Sequence, residues 1–476
     1  MAPLKVIIVG GGLAGSCLAN GLINKSQGDI DVLVFERDDP NSDREGYQIR
    51  LGAHALTGFR ACLTDEQYKD LILCFGRSSG FGASAAPCIF NMRWELLLDM
   101  GQIPSYSKSA PIGRGRLRKF LRSPLEEKGL MRYGKKFVRF EIVQSNHGHG
   151  ESITRVHFDD GSHEDCDVLV SAEGSGSRAN KQLGLNNICD VKSVGAGGFL
   201  GKCSLPRSTL QTLPAPFLEK GTIVTTTTSI SIFAAIYLPN TKEKVSVETA
   251  VRDAKNASTS TSELGDYDES QASLMFALNW REGPSPTEAA KIKDKKAYMR
   301  QRLTESGADE GYFRLVDVLE EDAIQSYPVR SAQPTSVNWR QELQSKDKSL
   351  GSSRVWLIGD SIHPMLPSRG MGANQAIHDT ADALGPLLEL ARLKAAGNRL
   401  KDDDVTAQLA VYEKAMIPRA FDWVKKSDTQ MMPSVDSLKG KALIFSLRFV
   451  IVFVGTYMKV LKLFGWKPKD DAPELL

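Results

Sequence analysis

The chain has 476 residues, long enough for two intimately joined domains and a short tail rather than one core. Lys and Arg number 60 against 57 Asp and Glu, and the basic residues form no continuous stripe, which argues against nucleic acid as a ligand. The 7 cysteines are odd in number, scattered and without CxxC spacing, so neither a disulfide framework nor a metal site is expected and the setting reads as reducing and cytoplasmic. The first apolar run is too short for a signal-peptide core and reads as the first strand of the fold.

That run, Leu4 to Val9, leads into Gly10, Gly12 and Gly15 in the order GxGxxG, and residues 16 to 24 read as a helix. Gly10 allows a tight turn, Gly12 lets backbone approach a pyrophosphate, and Gly15 lets helix pack closely on strand, with Leu13 and Ala14 between them at the helix start. A second strand run, Ile30 to Phe35, ends at Glu36 and Arg37. Glu36 lies about 20 residues beyond the glycines, where a carboxylate accepts ribose hydroxyls and repels a 2′-phosphate, so the nucleotide reads as FAD or NAD rather than NADP. The competing reading is a glycine turn of purely structural use. The strand before, the helix after and the second strand ending in an acid all favour the nucleotide.

Residues 38 to 45 form a polar loop, and Tyr47 to Leu51 reads as extended with Arg50 projecting from it. Pro111 to Lys128 carries a helix on which Leu117, Phe120 and Leu121 recur; Arg114 near its start is either a solvated charge or an anion contact. Strand alternation at 136 to 143 and 154 to 158, joined through Asn146, Gly148 and Gly150, suggests a hairpin. Cys166 to Ala172 is another buried strand, followed by Glu173, Gly174, Ser175, Gly176, Ser177 and Arg178.

From about 191 to 330 the pattern changes. Long β-prone runs at Thr222 to Tyr237 and Ser273 to Trp280 flank a polar interval, Asn256 to Gln271, that reads as a mobile loop. This block is expected to be a separate antiparallel sheet shaping a substrate pocket, hydroxyl-rich at 225 to 229 and apolar at 232 to 236. Lys202 and Tyr237 are candidate catalytic groups there, against the plainer reading of surface and packing residues. Arg354 to Ile358 is a last core strand, running into Gly359, Asp360 and His363. His363 reads as a holder of loop geometry more readily than as a catalyst. Then Pro367, Gly370, Met371, Gly372, Ala373 and Asn374 precede a helix to about Ala396, so a second set of helix-start N–H groups faces an anion or ring carbonyl.

In the tail, the apolar run Ala442 to Met458 is interrupted by Arg448 and bordered by Lys439, Lys441, Lys459 and Lys462. It falls short of the roughly 20 residues of a membrane-spanning helix, and a central arginine adds about 2.5 to 3.5 kcal/mol. Two readings stay open: a helix covering the apolar flank of the protein, or one lying on a membrane with Trp466 at the headgroups.

Taken together, these segments resemble the flavoprotein monooxygenases of the aromatic-hydroxylase type, with the para-hydroxybenzoate hydroxylase fold. The likeness covers most of the chain and implies an α/β fold: a Rossmann-type FAD-binding domain from 1–190 and 331–430, an inserted antiparallel sheet domain mainly from 191–330, and a C-terminal helical tail from 431–476. It implies that Gly10, Gly12, Gly15 and Glu36 hold the adenosine half of FAD, that Arg50 lies near the pyrophosphate, and that Arg114 contacts flavin. Glu173 and Gly174 stand at the family's Asp-Gly motif, with the longer acid a departure from it. Asp360 is implied to bind the ribityl chain, and the backbone from Met371 to Asn374 to approach the isoalloxazine, while His378 stands where a glutamate is common. The implied activity is NADPH- or NADH-driven hydroxylation or epoxidation of a mid-sized apolar or aromatic metabolite by O₂, through a flavin C4a-hydroperoxide. Alternatives are oxidative decarboxylation of an aromatic acid held by Arg330 or Arg281, a flavin oxidase or dehydrogenase, and a non-catalytic flavin-binding protein.

Overall fold

The computed structural model describes residues 2–40, 42, 47–78, 86–102, 109–144, 152–191, 197–240, 267–326, 329–396, 400–428 and 434–463. The turn through Asn146, Gly148 and Gly150, most of the 256–271 interval, and Trp466 lie outside them. In chain order the strands used below are β1 (Leu4–Val9), β2 (Ile30–Phe35), β3 (Gln48–Leu51), β4 (Cys88–Phe90), β5 (Leu96–Asp99), β6 (Ala110–Gly113), β7 (Met131–Arg132), β8 (Val168–Ser171), β9 (Gly197–Ser204), β10 (Thr222–Thr226), β11 (Ile230–Pro239), β12 (Ser273–Trp280) and β13 (Val355–Leu357). The helices are α1 (Leu13–Lys25), α2 (Ala53–Cys62), α3 (Arg114–Glu127), α4 (Arg178–Gln182), α5 (Lys295–Glu305), α6 (Glu310–Asp317), α7 (Gly372–Ala395), α8 (Asp402–Asp428) and α9 (Leu438–Leu463).

The nucleotide domain is a parallel sheet of order β13-β8-β1-β2-β7. Its central strand β1 is covered on both faces, which is why Leu4, Val6, Ile7 and Ile8 run without polar alternation and are wholly buried. From β1 the chain moves to β2 on one side and only later to β8 and β13 on the other, so the order reverses at the carboxyl end of β1. That reversal opens a crevice where ligands bind in such sheets. Gly10 sits there. Helix α1 is sandwiched between this sheet, α3 and α7, and Asn20 ties it to α3 by donating from Nδ2 to the Leu121 carbonyl at 2.7 Å. Strands Phe137–Gln144, Ser152–Phe158 and His163–Cys166 form the small antiparallel sheet laid beside this domain.

The second sheet has the order β9-β12-β11-β10-β4-β5, with Gly76–Arg77 pairing off β11. It differs from the expected sheet in two ways. Three of its strands come from before residue 100, and β4 joins β10 in parallel, so the sheet is mixed rather than purely antiparallel. Strands of two to four residues carry too little alternation to be read locally, and Gly76–Arg77 and β4 join the sheet through partners more than 100 residues away. The expected run Thr222 to Tyr237 is two strands joined by a turn in which the Thr227 hydroxyl accepts from the Ser229 and Ile230 N–H groups.

One face of this sheet carries its core. Ile232, Ile236, Phe276 and Trp280 pack there against Met299 and Leu303 of α5 and Tyr312 and Leu315 of α6. Strict alternation sends the intervening residues to the other face, which meets the nucleotide domain where Arg50 donates to Thr222 Oγ1 at 3.1 Å and the Tyr237 hydroxyl donates to the Cys74 carbonyl at 3.1 Å. The apolar 232–236 run is therefore divided, Phe233 and Ala235 facing the nucleotide domain and the rest facing the core. Thr225 likewise belongs to the core side, sharing a 2.7 Å hydrogen bond with Tyr312.

Candidate functional site: two helix starts and an arginine ladder

Each glycine of the first turn has a distinct environment. Gly10 has φ of +105°, and a Cβ there would stand 2.3 Å from the Ala172 carbonyl oxygen. A Cβ at Gly15 would stand 2.1 Å from the Gly10 carbonyl oxygen. At Gly12 a Cβ would meet nothing within 4 Å, and no side chain caps α1, so the first-turn N–H groups of Leu13, Ala14 and Gly15 point toward open space. Two glycines close the turn and the third leaves room over it, which suits a pyrophosphate.

The second helix start is built differently. No side chain caps α7 either, and a Cβ at Gly372 would come no closer than 3.9 Å to Asp360 Oδ1. Asn374 is buried and staples three segments: its Oδ1 accepts from the Gly52 N–H at 2.8 Å, and its Nδ2 donates to the carbonyls of Arg50 and Gly370. Pro367 and Gly370 bracket a single 3₁₀ turn ahead of Met371, and Ala373 packs on the core. Behind them Asp379 is fully buried. Its Oδ2 accepts from the Gly359 N–H at 2.7 Å and pairs with His363 Nε2 at 2.6 Å, while its Oδ1 accepts from Arg419 at 2.7 Å. Despite the burial that opposes its charge, His363 and Arg419 hold the Asp379 carboxyl below the usual carboxylate range. His363 thus serves the loop, as its sequence position suggested.

Asp360, one residue past the Gly359 turn, is reachable by solvent yet enclosed by protein, as on the floor of a cleft. Burial raises its carboxyl pKa against the pull of His363 and Arg114. Arg114 makes no hydrogen bond or ion pair among the described residues, so the cation beside Asp360 is held only by field.

Arg114 begins a ladder. Arg114, Arg118 and Arg122 recur at i, i+4 and i+8 on α3 and so share one face over about 12 Å. At the far end Arg122 is buried, donating to Glu36 Oε2 and to the Gly11 carbonyl, each at 2.7 Å; Glu36 Oε1 accepts from the Asp38 N–H at 3.1 Å. In the middle, burial and then the charges of Arg122 and Arg114 lower the Arg118 pKa, the mark of a cation lacking a full share of anions. Arg118 and Arg122 were not anticipated from the sequence, although their four-residue spacing from Arg114 was readable.

Other expected residues are differently employed. Arg37 is exposed and lies 3.5 Å from Asp38. The Arg50 guanidinium bridges to Ser78, Ser109 and Thr222 at the seam between the domains. Glu173 turns its carboxylate into its own loop, accepting from Ser171, Ser177 and the Arg178 and Ala179 N–H groups, which caps α4; Gly174 completes that turn. Tyr237 is buried beside Arg116 with its hydroxyl pKa raised by burial, a packing residue of the seam. Arg330 pairs with Asp190 at 2.9 Å, and Arg281 is exposed one residue past β12. A concavity of about 600 Å³ bordered by Lys293, Arg300 and Asp317 is open, charged and on the helical side, remote from the crevice.

Comparison with known proteins agrees with this geometry. Residues 293–416 match the FAD binding domain family, and residues 8–69 match the NAD(P)-binding Rossmann-like domain family, so the two helix starts fall one in each. A dual O-methyltransferase/FAD-dependent monooxygenase of Phaeosphaeria nodorum, elcB, is 26% identical over 89% of this chain and 45% of its own length. CTB3 of Cercospora beticola, described in the same terms, is 27% identical over 80% of this chain and 42% of its own. The chain is thus similar in sequence to FAD-dependent monooxygenases. It spans about half the length of the curated relatives it matches. Solved structures share its fold: Klebsiella pneumoniae HpxO, solved with FAD and uric acid, aligns with TM-score 0.63 at 17% identity over 95% of this chain and 96% of its own. PqsL of P. aeruginosa, solved with 2-aminobenzoylacetate, aligns with TM-score 0.61 at 16% identity over 93% of this chain and 99% of its own.

The cofactor of the family is FAD, and the residues present fit it. Open backbone over Gly12 and Gly372, an acid at each end of the arginine ladder, and Arg118 between like charges match a molecule with a ribose, a pyrophosphate and a ribityl chain in that order. No helix of the described residues is long and apolar enough to cross a membrane.

Proposed function

We propose that the chain is an NAD(P)H-dependent monooxygenase that hydroxylates or epoxidises a mid-sized, largely apolar or aromatic metabolite. The observation that carries the reading is the face of the second sheet turned toward the nucleotide domain. Val224, Phe233, Ala277 and Leu200 are aligned side by side across β10, β11, β12 and β9, and all are half-buried. An apolar wall beside a flavin crevice suits an apolar ring or alkene better than a sugar or phosphate.

When bound, FAD supplies the chemistry of hydride acceptance from NAD(P)H and oxygen activation; one oxygen atom goes to substrate, the other leaves as water, and NAD(P)H is oxidised. The chain's own part is placement and exclusion. The N–H groups at the starts of α1 and α7 hold anionic and carbonyl oxygens, and the wall excludes water and presents the reacting carbon. Lys202 is the cation on that wall. Adjacent in register to Met275, its side chain has no hydrogen bond or ion pair among the described residues, which supports a role in orienting a polar substituent of the substrate.

The test is a ligand screen read as accelerated NAD(P)H consumption, followed by mass analysis of products formed under isotopically labelled O₂. One labelled oxygen atom in the product is expected. A bound flavin that neither NADH nor NADPH reduces, with or without ligand, contradicts the proposal.

A further inference from the structure

Helix α9 has an unusual distribution of apolar residues. Its inner face, through Ile444, Leu447 and Ile451, packs on Ile89 of β4 and Leu98 of β5. Arg448, the charge that interrupts the apolar run, lies against the protein: Nε donates to the Leu97 carbonyl at 2.6 Å and Nη2 to the Leu96 carbonyl at 3.0 Å, along the edge strand β5. Among the described residues, nothing covers the opposite face. Leu438, Phe445, Phe449, Val452, Phe453 and Val460 fall on one stripe of the helix, and Phe445, Phe449 and Phe453 are 73%, 68% and 69% exposed. A surface helix normally turns such a stripe inward; here a second, larger one faces out.

Charge identifies what covers it. Residues 438–463 contain Lys439, Lys441, Arg448, Lys459 and Lys462 and not one Asp or Glu. A second copy of the chain, related by a two-fold axis, would bring this all-cationic helix against itself, which like-charge repulsion opposes. An anionic lipid surface satisfies both features at once, the stripe entering the acyl boundary and the exposed Lys439 and Lys441 remaining among the headgroups.

We infer that α9 is an interfacial helix that seats the protein on anionic membranes, lying in the plane of the surface rather than spanning it. Because Ile89 lies beside Val224 in the sheet, α9 covers the same sheet face that forms the apolar wall. The seated surface therefore borders the pocket, and a lipid-dissolved substrate reaches it without crossing water; this last point rests on the proposed function.

The experiment is flotation of the full-length, FAD-loaded protein with vesicles of phosphatidylcholine alone or mixed with phosphatidylserine. The protein floats with the mixed vesicles, and Phe449→Glu with Phe453→Glu weakens partitioning by at least about tenfold at unchanged FAD content. Lys439→Glu with Lys441→Glu also weakens it and removes its salt dependence. Wild-type protein that stays unbound, or a phenylalanine variant that floats equally well, overturns the inference. So does a wild-type dimer that the phenylalanine variant dissociates without any vesicle binding, since the stripe is then a self-interface. Flotation is read without turnover, so its failure and that of the monooxygenase reading are separable.

Discussion

The two glycine-rich helix starts hold the same kind of ligand by different means. At α1 the geometry is fixed by backbone against backbone: Gly10 on Ala172 and Gly15 on Gly10, within five residues of one another and of the strand they follow. At α7 the backbone is open, and the turn is held by side chains from afar, Asn374 reaching Gly52 and Asp379 joining Gly359, His363 and Arg419. The first site is held by backbone packing and tolerates no added atom at Gly10 or Gly15. The second is encoded by a buried polar network and fails when a partner is lost.

Gly15→Val breaks the first kind of site. Its side chain meets a carbonyl oxygen that cannot yield, and the expected outcome is loss of more than about 4 kcal/mol, read as insoluble expression or an unfolded spectrum. Asp379→Ala breaks the second kind: the Gly359 N–H, His363 and Arg419 lose a buried partner, and denaturant unfolding is expected to report a loss of about 3 to 5 kcal/mol. Wild-type stability in that variant would show that the network is dispensable.

A smaller effect sharpens the contrast through pH. His54 of α2 and His378 of α7 face each other with Nδ1 atoms 2.9 Å apart. Burial, Arg419 and His54 lower the His378 pKa to about 4, and burial lowers that of His54 as well. The unfolded chain, with imidazoles near 6.5, takes up protons first, so stability is full above about pH 6.5 and declines toward about pH 4. Denaturation midpoints across this window should fall, and His378→Gln should flatten the slope. The smallest effect is expected on the substrate wall, where Lys202→Met should raise KM severalfold for a substrate with an acidic hydroxyl and leave FAD content unchanged.

This contrast also explains what could be read from the chain alone. Gly10, Gly12, Gly15 and Glu36 were legible because turn, strand and helix are consecutive. The Gly370–Asn374 helix start was read from its glycines, whereas a role for Asp360 came only by family resemblance, and the groups that hold this turn, Gly52 and Arg419, are remote in sequence. Arg118 and Arg122 carried a periodic signal that was passed over in favour of the apolar stripe of the same helix. Strands β4 and β5 gave no local signal. The central arginine of the tail, counted as a cost to a membrane-spanning helix, is spent on the β5 carbonyls and leaves the outer stripe uncharged.

The central claim is that one FAD lies across both helix starts, and it is tested most directly by titrating FAD into Gly12→Val and Gly372→Val apoproteins. Both positions are open in the fold, so both variants are expected to keep wild-type thermal stability while losing FAD affinity by about 100-fold or more, each filling space the cofactor needs. If either variant folds normally and binds FAD like the wild type, the cofactor does not pass over that helix start.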